Sequence, residues 1–206
     1  MKKNLNKEII IETTMNLIIE KNGSQNITIR DIAKSLNCSH PNIYNYYSDL
    51  DELRWDCLVY ALKDMVSTVL SALETSPDQW QRFNCFFKNL TIYSLTHTAW
   101  YKLIWFDPMS KDIPEKIKPL LLLPGQNLAN MLLDIFPQLK TIENSYEISR
   151  ILHRYLHGEL CINISARITY EKESDFTKMV ETNCENIMKN FLNQLNNIHT
   201  GVKNED

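Results

Sequence analysis

The twenty residues from Thr28 to Tyr47 leave room for two short helices and the turn that joins them. Thr28 supplies a capping hydroxyl, and Ile29, Ile32, Ala33 and Leu36 follow at the i, i+3, i+4, i+7 spacing of one buried helical face. Asn37 stops that helix, because asparagine enters the left-handed region more readily than most residues. Ser39 then caps a third helix with Pro41 in its first turn, where a missing amide hydrogen costs little, and the pattern carries this helix to about Tyr47. Two helices joined so tightly, the second with a polar outer face, have the geometry of a helix-turn-helix, whose second helix enters the major groove of DNA.

Helical periodicity continues on both sides. Ile11, Met15, Ile18 and Ile19 share a face of a first helix that Gly23 ends at a position suited to a left-handed cap. Asp49, Leu50, Asp51 and Glu52 place one acid at a cap and another three residues on, so a long fourth helix starts there and runs to about Glu74. Pro77 and Asp78 open a fifth, aromatic-rich helix, a sixth follows, and Asp107-Pro108 closes the stretch. A seventh helix is expected from near Glu115 to Phe136, bent around Pro119 and Pro124-Gly125. Two long amphipathic helices, eight and nine, are expected at about 143–167 and 175–197; the ninth carries the stripe Phe176, Val180, Cys184, Ile187, Phe191, Leu195 and Ile198. The polar tail from His199 onward is expected to fray. With no β-alternation and no internal repeat, the fold class is all-α.

Several function classes are excluded or disfavoured by composition. Five cysteines, an odd number with no C-x-x-C pair, suggest neither a disulfide framework nor a zinc knuckle, and point to a reducing cytosol. No apolar signal core follows Met1-Lys2-Lys3-Asn4 and no run of 18 apolar residues occurs, so a cytoplasmic protein without a membrane span is expected. There is no G-x-S-x-G, H-E-x-x-H or G-K-[ST] pattern, so catalytic residues and cofactors are not expected. His153 and His157 stand four apart, a metal-ligand spacing, but Glu159 projects away from His157 and a third ligand is missing, so no metal site is expected. The net charge of −3 gives no global attraction to nucleic acid. Residues 1–47 hold six Lys/Arg against four Asp/Glu, a local excess of 6 − 4 = +2.

The stretch ITIRDIAKSLNCSHPNIYNYYSDLDEL has a Thr-x-Arg opening, an Ile-Ala pair, a serine cap, and Tyr44 followed by an aromatic pair. It resembles the amino-terminal signature of the tetracycline-repressor (TetR) family, over roughly residues 8–58, about a quarter of the chain. Nine helices in total also suit that family. The resemblance implies a DNA-binding surface. In it Thr28 and Ser39, at helix amino termini, hold phosphates, and Arg30 reaches a base or a phosphate. His40, Pro41 and Asn42 open the recognition helix at the depth where bases are met: an asparagine amide pairs with adenine, and a proline ring touches a thymine methyl. Tyr44 and Tyr46 offer hydroxyls to the DNA backbone, joined by Asn45. Thr28 and Ser39 would also cap helices in any protein, and Tyr47 reads as core.

By the same resemblance, residues 1–50 are the DNA-binding domain, 51–198 a ligand-binding and dimerisation domain, and 199–206 a flexible tail. The implied partners are double-stranded operator DNA, a second copy of the chain joined through helices eight and nine, and a small-molecule inducer. Trp100, Tyr101 and Trp105, with Phe87, Tyr93, His153 and His157, are the candidate lining of the inducer cavity; ordinary aromatic core is the other reading of the same residues. Tyr155-Leu156-His157-Gly158-Glu159-Leu160 resembles the His-Gly motif of one carboxy-terminal subgroup. The implied function is a repressor that binds a palindromic operator as a homodimer and is released by its inducer. A nucleoid-binding or protein-binding helical adaptor that kept the fold is the alternative.

The chain departs from the family pattern at three points. Asn37 and Cys38 replace the usual glycine and valine, and the usual phosphate-contacting lysine at the start of helix four is Leu50, flanked by Asp49 and Asp51. A Leu50→Lys variant is therefore expected to bind a random duplex more tightly and to steepen the salt dependence by about one counterion. Anisotropy titrations across a salt series would show this, and an unchanged affinity would count against the expectation.

Overall fold

Residues 5–73, 77–109, 112–166, 170 and 172–201 are described by the computed structural model, with side chains to residue 197. Among them lie nine α-helices, a 3-10 turn at Pro137–Leu139 and no strand, so the all-α expectation holds. The helices are α1 (Lys7–Glu20), α2 (Ile29–Ser35), α3 (His40–Tyr44), α4 (Leu50–Ser71), α5 (Gln79–Thr96), α6 (Thr98–Trp105), α7 (Lys118–Ile135), α8 (Ile142–Ile164) and α9 (Glu173–Gly201).

The caps explain where most of these begin and end. Asn6 starts α1, its side-chain oxygen accepting from Ile9 N at 2.8 Å. Thr28 starts α2 in a reciprocal capping box: its hydroxyl accepts from Asp31 N, and the Asp31 carboxylate accepts from Thr28 N at 2.8 Å. The first two helices end alike. At the end of α1, Gly23 N donates to Ile18 O at 2.9 Å and Asn22 N to Ile19 O at 3.1 Å. At the end of α2, Cys38 N donates to Ala33 O at 3.0 Å and Asn37 N to Lys34 O at 3.1 Å. Both are the paired bonds of a Schellman ending, and the left-handed residue in each is an asparagine, Asn22 at φ 52° and Asn37 at φ 50°. Asn37 stops α2 as expected. For α1 the left-handed residue is Asn22, one before the expected Gly23.

By its contacts the chain divides into two compact units, Met1–Val66 with Thr96–Leu121, and Ser67–Leu95 with Leu122–Asp206. In the first, α1, α2, α3 and the start of α4 share a core built around Ile10, Met15, Ile18, Ile32, Ile43, Tyr47 and Leu53, all nearly inaccessible to solvent. Ala99 and Leu103 of α6 and Ile117 belong to the same core. In the second, Phe83, Phe87 and Phe136 pack ring against ring, and α8 and α9 pack on each other, α8 burying Leu152, Leu156 and Leu160 and α9 burying Phe176, Val180, Cys184 and Met188, with Asn183 Nδ2 donating to Tyr155 Oη at 2.7 Å between them.

Some sequence expectations shift. Ile19 points outward, 52% exposed, while Ile10 and Leu17 are buried: apolar residues occupy two faces of α1, and packing selected one. α3 ends at Tyr44 instead of Tyr47: Tyr46 N donates three residues back to Ile43 O at 2.9 Å, a tightened last turn after which the chain leaves the helix. α7 starts at Lys118 and holds Pro124 inside it. α9 continues through His199 to Gly201, since neither Gly nor Pro interrupts the sequence between its start and Gly201. Glu74 and Arg167, expected helix ends, lie outside the described residues, and so does the side chain of Ile198.

A β-branched side chain is poorly suited to the left-handed conformation of Asn37. Asn37→Val is expected to cost about 1–2 kcal/mol in urea denaturation, whereas Asn37→Gly should hold or raise stability. Equal stability of the two variants would contradict the turn assignment.

Candidate nucleic-acid interface

α2 and α3 pack on each other through Ile29, Ile32, Ala33 and Ile43, which turns the other face of α3 to solvent. His40, Pro41, Asn42, Tyr44 and Asn45 are all exposed there, Tyr44 at 51% despite its size. Ser39 occupies the N-cap position of α3, but its side chain makes no cap bond. Its hydroxyl can therefore donate to a phosphate at the start of the helix, where Pro41 has no amide hydrogen and Asn42 N already donates to Ser39 O at 3.0 Å. Arg30 and Lys34 are exposed on α2.

Two of the candidate residues already serve the fold. Thr28 Oγ1 donates to Asp31 Oδ2 at 2.7 Å within the capping box, and Tyr46 Oη donates to the Leu5 carbonyl at 2.6 Å. A phosphate that took either hydroxyl proton would displace an internal bond. Asp31 is also held by Lys21 at 2.9 Å, and that ammonium together with the Thr28 hydroxyl and amide lowers the Asp31 carboxyl to about 2. The amino end of α2 is thus already occupied by a carboxylate.

The acids at the start of α4 are likewise bound internally. Asp49 Oδ1 accepts from Glu52 N at 2.9 Å, and Glu52 Oε2 accepts from Ser48 N at 2.8 Å and Ser48 Oγ at 2.9 Å, which holds the Glu52 carboxyl below its usual range. Glu52 reaches Ser48, one residue before Asp49, so the expected box is stretched by one position. Asp51 pairs with Arg54 at 3.3 Å. Leu50 is half-buried against the core of the unit. Sequence reasoning missed Arg54, whose partner Ser24 is 30 residues away and leaves no trace in local pattern.

No family model and no curated protein matches this chain. Solved structures do. A protein of unknown function from Rhodococcus sp. RHA1 superposes with a TM-score of 0.72 at 11% identity, covering 88% of this chain and 94% of its own. A TetR-like transcriptional regulator from the same organism gives a TM-score of 0.61 at 12% identity, covering 88% and 96%. A protein from Syntrophomonas wolfei str. Goettingen, provisionally described as a TetR-family transcriptional regulator, gives 0.60 at 17% identity, covering 87% and 92%. The chain has the TetR-like fold. The likeness runs over most of each molecule, well beyond the quarter of the sequence that carries the amino-terminal resemblance.

The residues expected to line a TetR-like ligand cavity fall in both units. Trp100, Tyr101 and Trp105 lie on α6, in the unit of the helix-turn-helix; the Trp100 indole N–H donates to Met15 O at 3.3 Å, and Tyr101 is buried beside Trp105 and Phe106. Phe87, Tyr93, His153 and His157 lie in the other unit. There Phe87 is fully buried with its ring centroid 4.8 Å from that of Phe83 and 5.2 Å from that of Phe86, and Tyr93 is buried as well, which is core packing. His153 and His157 are half-buried, with ring centroids 6.0 Å apart and planes within 7° of parallel. Among the described residues no three His, Cys, Asp or Glu side chains gather as metal ligands. No helix among them is long and apolar enough to cross a membrane.

Burial pushes both imidazoles below their ordinary value of 6.5, helped at His153 by the neighbouring His157 and Arg154. The folded state therefore favours neutral rings. Their contribution to stability is complete above 6.5 and is lost as the pH falls from there towards the lowered folded values. The melting temperature should drop between about pH 7.5 and 5.5, and the His153→Gln/His157→Gln double variant should show a flatter dependence. An identical slope in both proteins would place the pH sensitivity elsewhere.

Proposed function

We propose that this protein is a transcriptional regulator of the TetR type that reads operator DNA with α3. The observation that carries the reading is the exposed row His40, Pro41, Asn42, Tyr44 and Asn45 on a helix whose other side is fixed by buried Ile43. These groups hydrogen-bond base edges and phosphates, or touch a thymine methyl, and a protein-binding face would more often show leucine or methionine there. The similarity in fold to transcriptional regulators supports the same reading.

The finer proposal is a repressor that acts as a homodimer on a palindromic site and is released by a small-molecule inducer. A two-fold pair through α8 and α9 gains support from the outer face of α8, where Ile151 and Ile162 are 42% and 40% exposed. Gly158 lies on that face between them, and a Cβ built there meets no atom within 4 Å. A mid-helix glycine costs about 0.5–1 kcal/mol relative to alanine, and nothing among the described residues requires this one. A close-packed helix of a second copy would. The three half-buried acids at the start of α4, Asp49, Asp51 and Glu52, and the small positive excess of the amino-terminal region favour instead the adaptor reading, in which DNA is bound without specificity or only protein is bound.

Fluorescence anisotropy with the protein's own upstream DNA and a scrambled duplex separates the two. A regulator prefers its site by about a thousandfold or more. Arg30→Ala and Asn42→Ala should each cost about 1–3 kcal/mol of that preference. Equal binding to both duplexes, repeated across randomised fragments, would leave the adaptor reading standing.

A further inference from the structure

Ser24 sits buried in the turn between α1 and α2, and its polar groups are satisfied from far along the sequence. Asp107, just past the end of α6, accepts from Ser24 N at 2.9 Å and from Ser24 Oγ at 2.6 Å. From the other side Arg54 of α4 donates to the Ser24 carbonyl at 3.0 Å, while pairing with Asp51. Further bonds tie the same turn to the same segment: Lys102 Nζ donates to Asn22 Oδ1 at 3.1 Å, and Gln25 Nε2 donates to the Pro108 carbonyl at 3.2 Å. One carboxylate thus holds both a buried amide and a buried hydroxyl 83 residues away, and hydrogen bonds to an ionised acceptor are about twice as strong as neutral ones.

We infer that Asp107 is a positioning residue for DNA reading. The inference rests on the regulator reading above. The turn that Asp107 holds leads within four residues to Thr28, the cap of α2, and α2 carries Arg30 and packs on α3. Residues 96–109 thereby belong to the reading unit, and the pose of α2 depends on where α6 ends. Any event that draws Asp107 away from Ser24 breaks two charge-assisted bonds and leaves a buried amide unpaired, so the start of α2 loosens.

Removing an acid from a DNA-binding protein ordinarily strengthens DNA binding, because phosphate repulsion falls. Positioning by Asp107 gives the opposite sign. Operator affinity should fall about tenfold in Asp107→Ala and less in Asp107→Asn, which keeps an acceptor; Asp112→Ala, an exposed acid of the same segment, should not weaken binding. Hydrogen exchange should quicken at the amides of residues 22–28 in the order wild type, Asn, Ala, with α8 and α9 unchanged. If the alanine variant does not fold, the asparagine variant carries the comparison. Faster exchange with unchanged operator affinity would make Asp107 a structural cap only and overturn the inference, and unchanged exchange would overturn it as well. A wild-type protein that prefers no DNA sequence would remove the regulator reading and this inference together, a result separable from the others because it appears before any substitution.

Discussion

The burial of Ile43 is the contact on which the exposed row of α3 depends. α3 is five residues long, far below the length at which a helix holds itself together in water, and Ile43 is its one buried residue. Its exposed polar groups keep their arrangement because Ile43 is locked into a core with Ile32 and Leu53, and because Tyr47 follows it into the same core. Tyr47 and Tyr46 also anchor the beginning of the chain. The Lys7 ammonium lies 4.6 Å from the centre of the Tyr47 ring, and the Tyr46 hydroxyl holds the Leu5 carbonyl. Two aromatic residues after α3 thus tie it to the first helix.

Charge in this unit is arranged inward as much as outward. Asp31 is held by Lys21 and by its cap, Asp49 and Glu52 cap α4, and Asp51, Arg54 and Asp107 form a chain of alternating sign around Ser24. Such acids make a net charge of −3 compatible with a surface that offers Arg30, Lys34 and the row on α3 to a polyanion. Local pairing screens them, although it does not cancel their long-range repulsion. Under the proposed regulator reading, such pairing would leave discrimination resting more on base contacts than on phosphates.

The second unit is organised by rings and long helices. Phe83, Phe87 and Phe136, with Trp80 leaning on Phe136 at 4.9 Å, fill its aromatic core, and buried hydroxyls such as Thr91 and Ser94 satisfy themselves on carbonyls one turn back. A half-buried histidine pair on α8 adds ionisable groups to this unit, with neutral rings favoured by burial.

What the sequence determined by itself was whatever depends on neighbours within a turn or two of helix. Thr28 as a cap, Asn37 as a left-handed stop, Pro41 in a first turn, the buried Phe176, Val180, Cys184 and Phe191 of the α9 stripe and the polar outer face of α3 all follow from bonds and periodicities that span five residues or fewer, and each is seen in the fold, although Met188 is buried where the stripe named Ile187. Tertiary structure decided the rest. It chose Ile10 over Ile19 as the buried side of α1, because apolar residues on two faces give periodicity two solutions and only the packing partner separates them. It closed α3 three residues early, where Tyr46 and Tyr47 turn back to the core. It also placed α6 with the helix-turn-helix and brought Asp107 and Arg54 onto Ser24, distributing the candidate cavity aromatics between two units. Contacts across 30 or 83 residues carry no local signature, since they form only when separately determined helices bury their apolar faces together, and the polar groups left at the seams must then find partners wherever the chain has brought them.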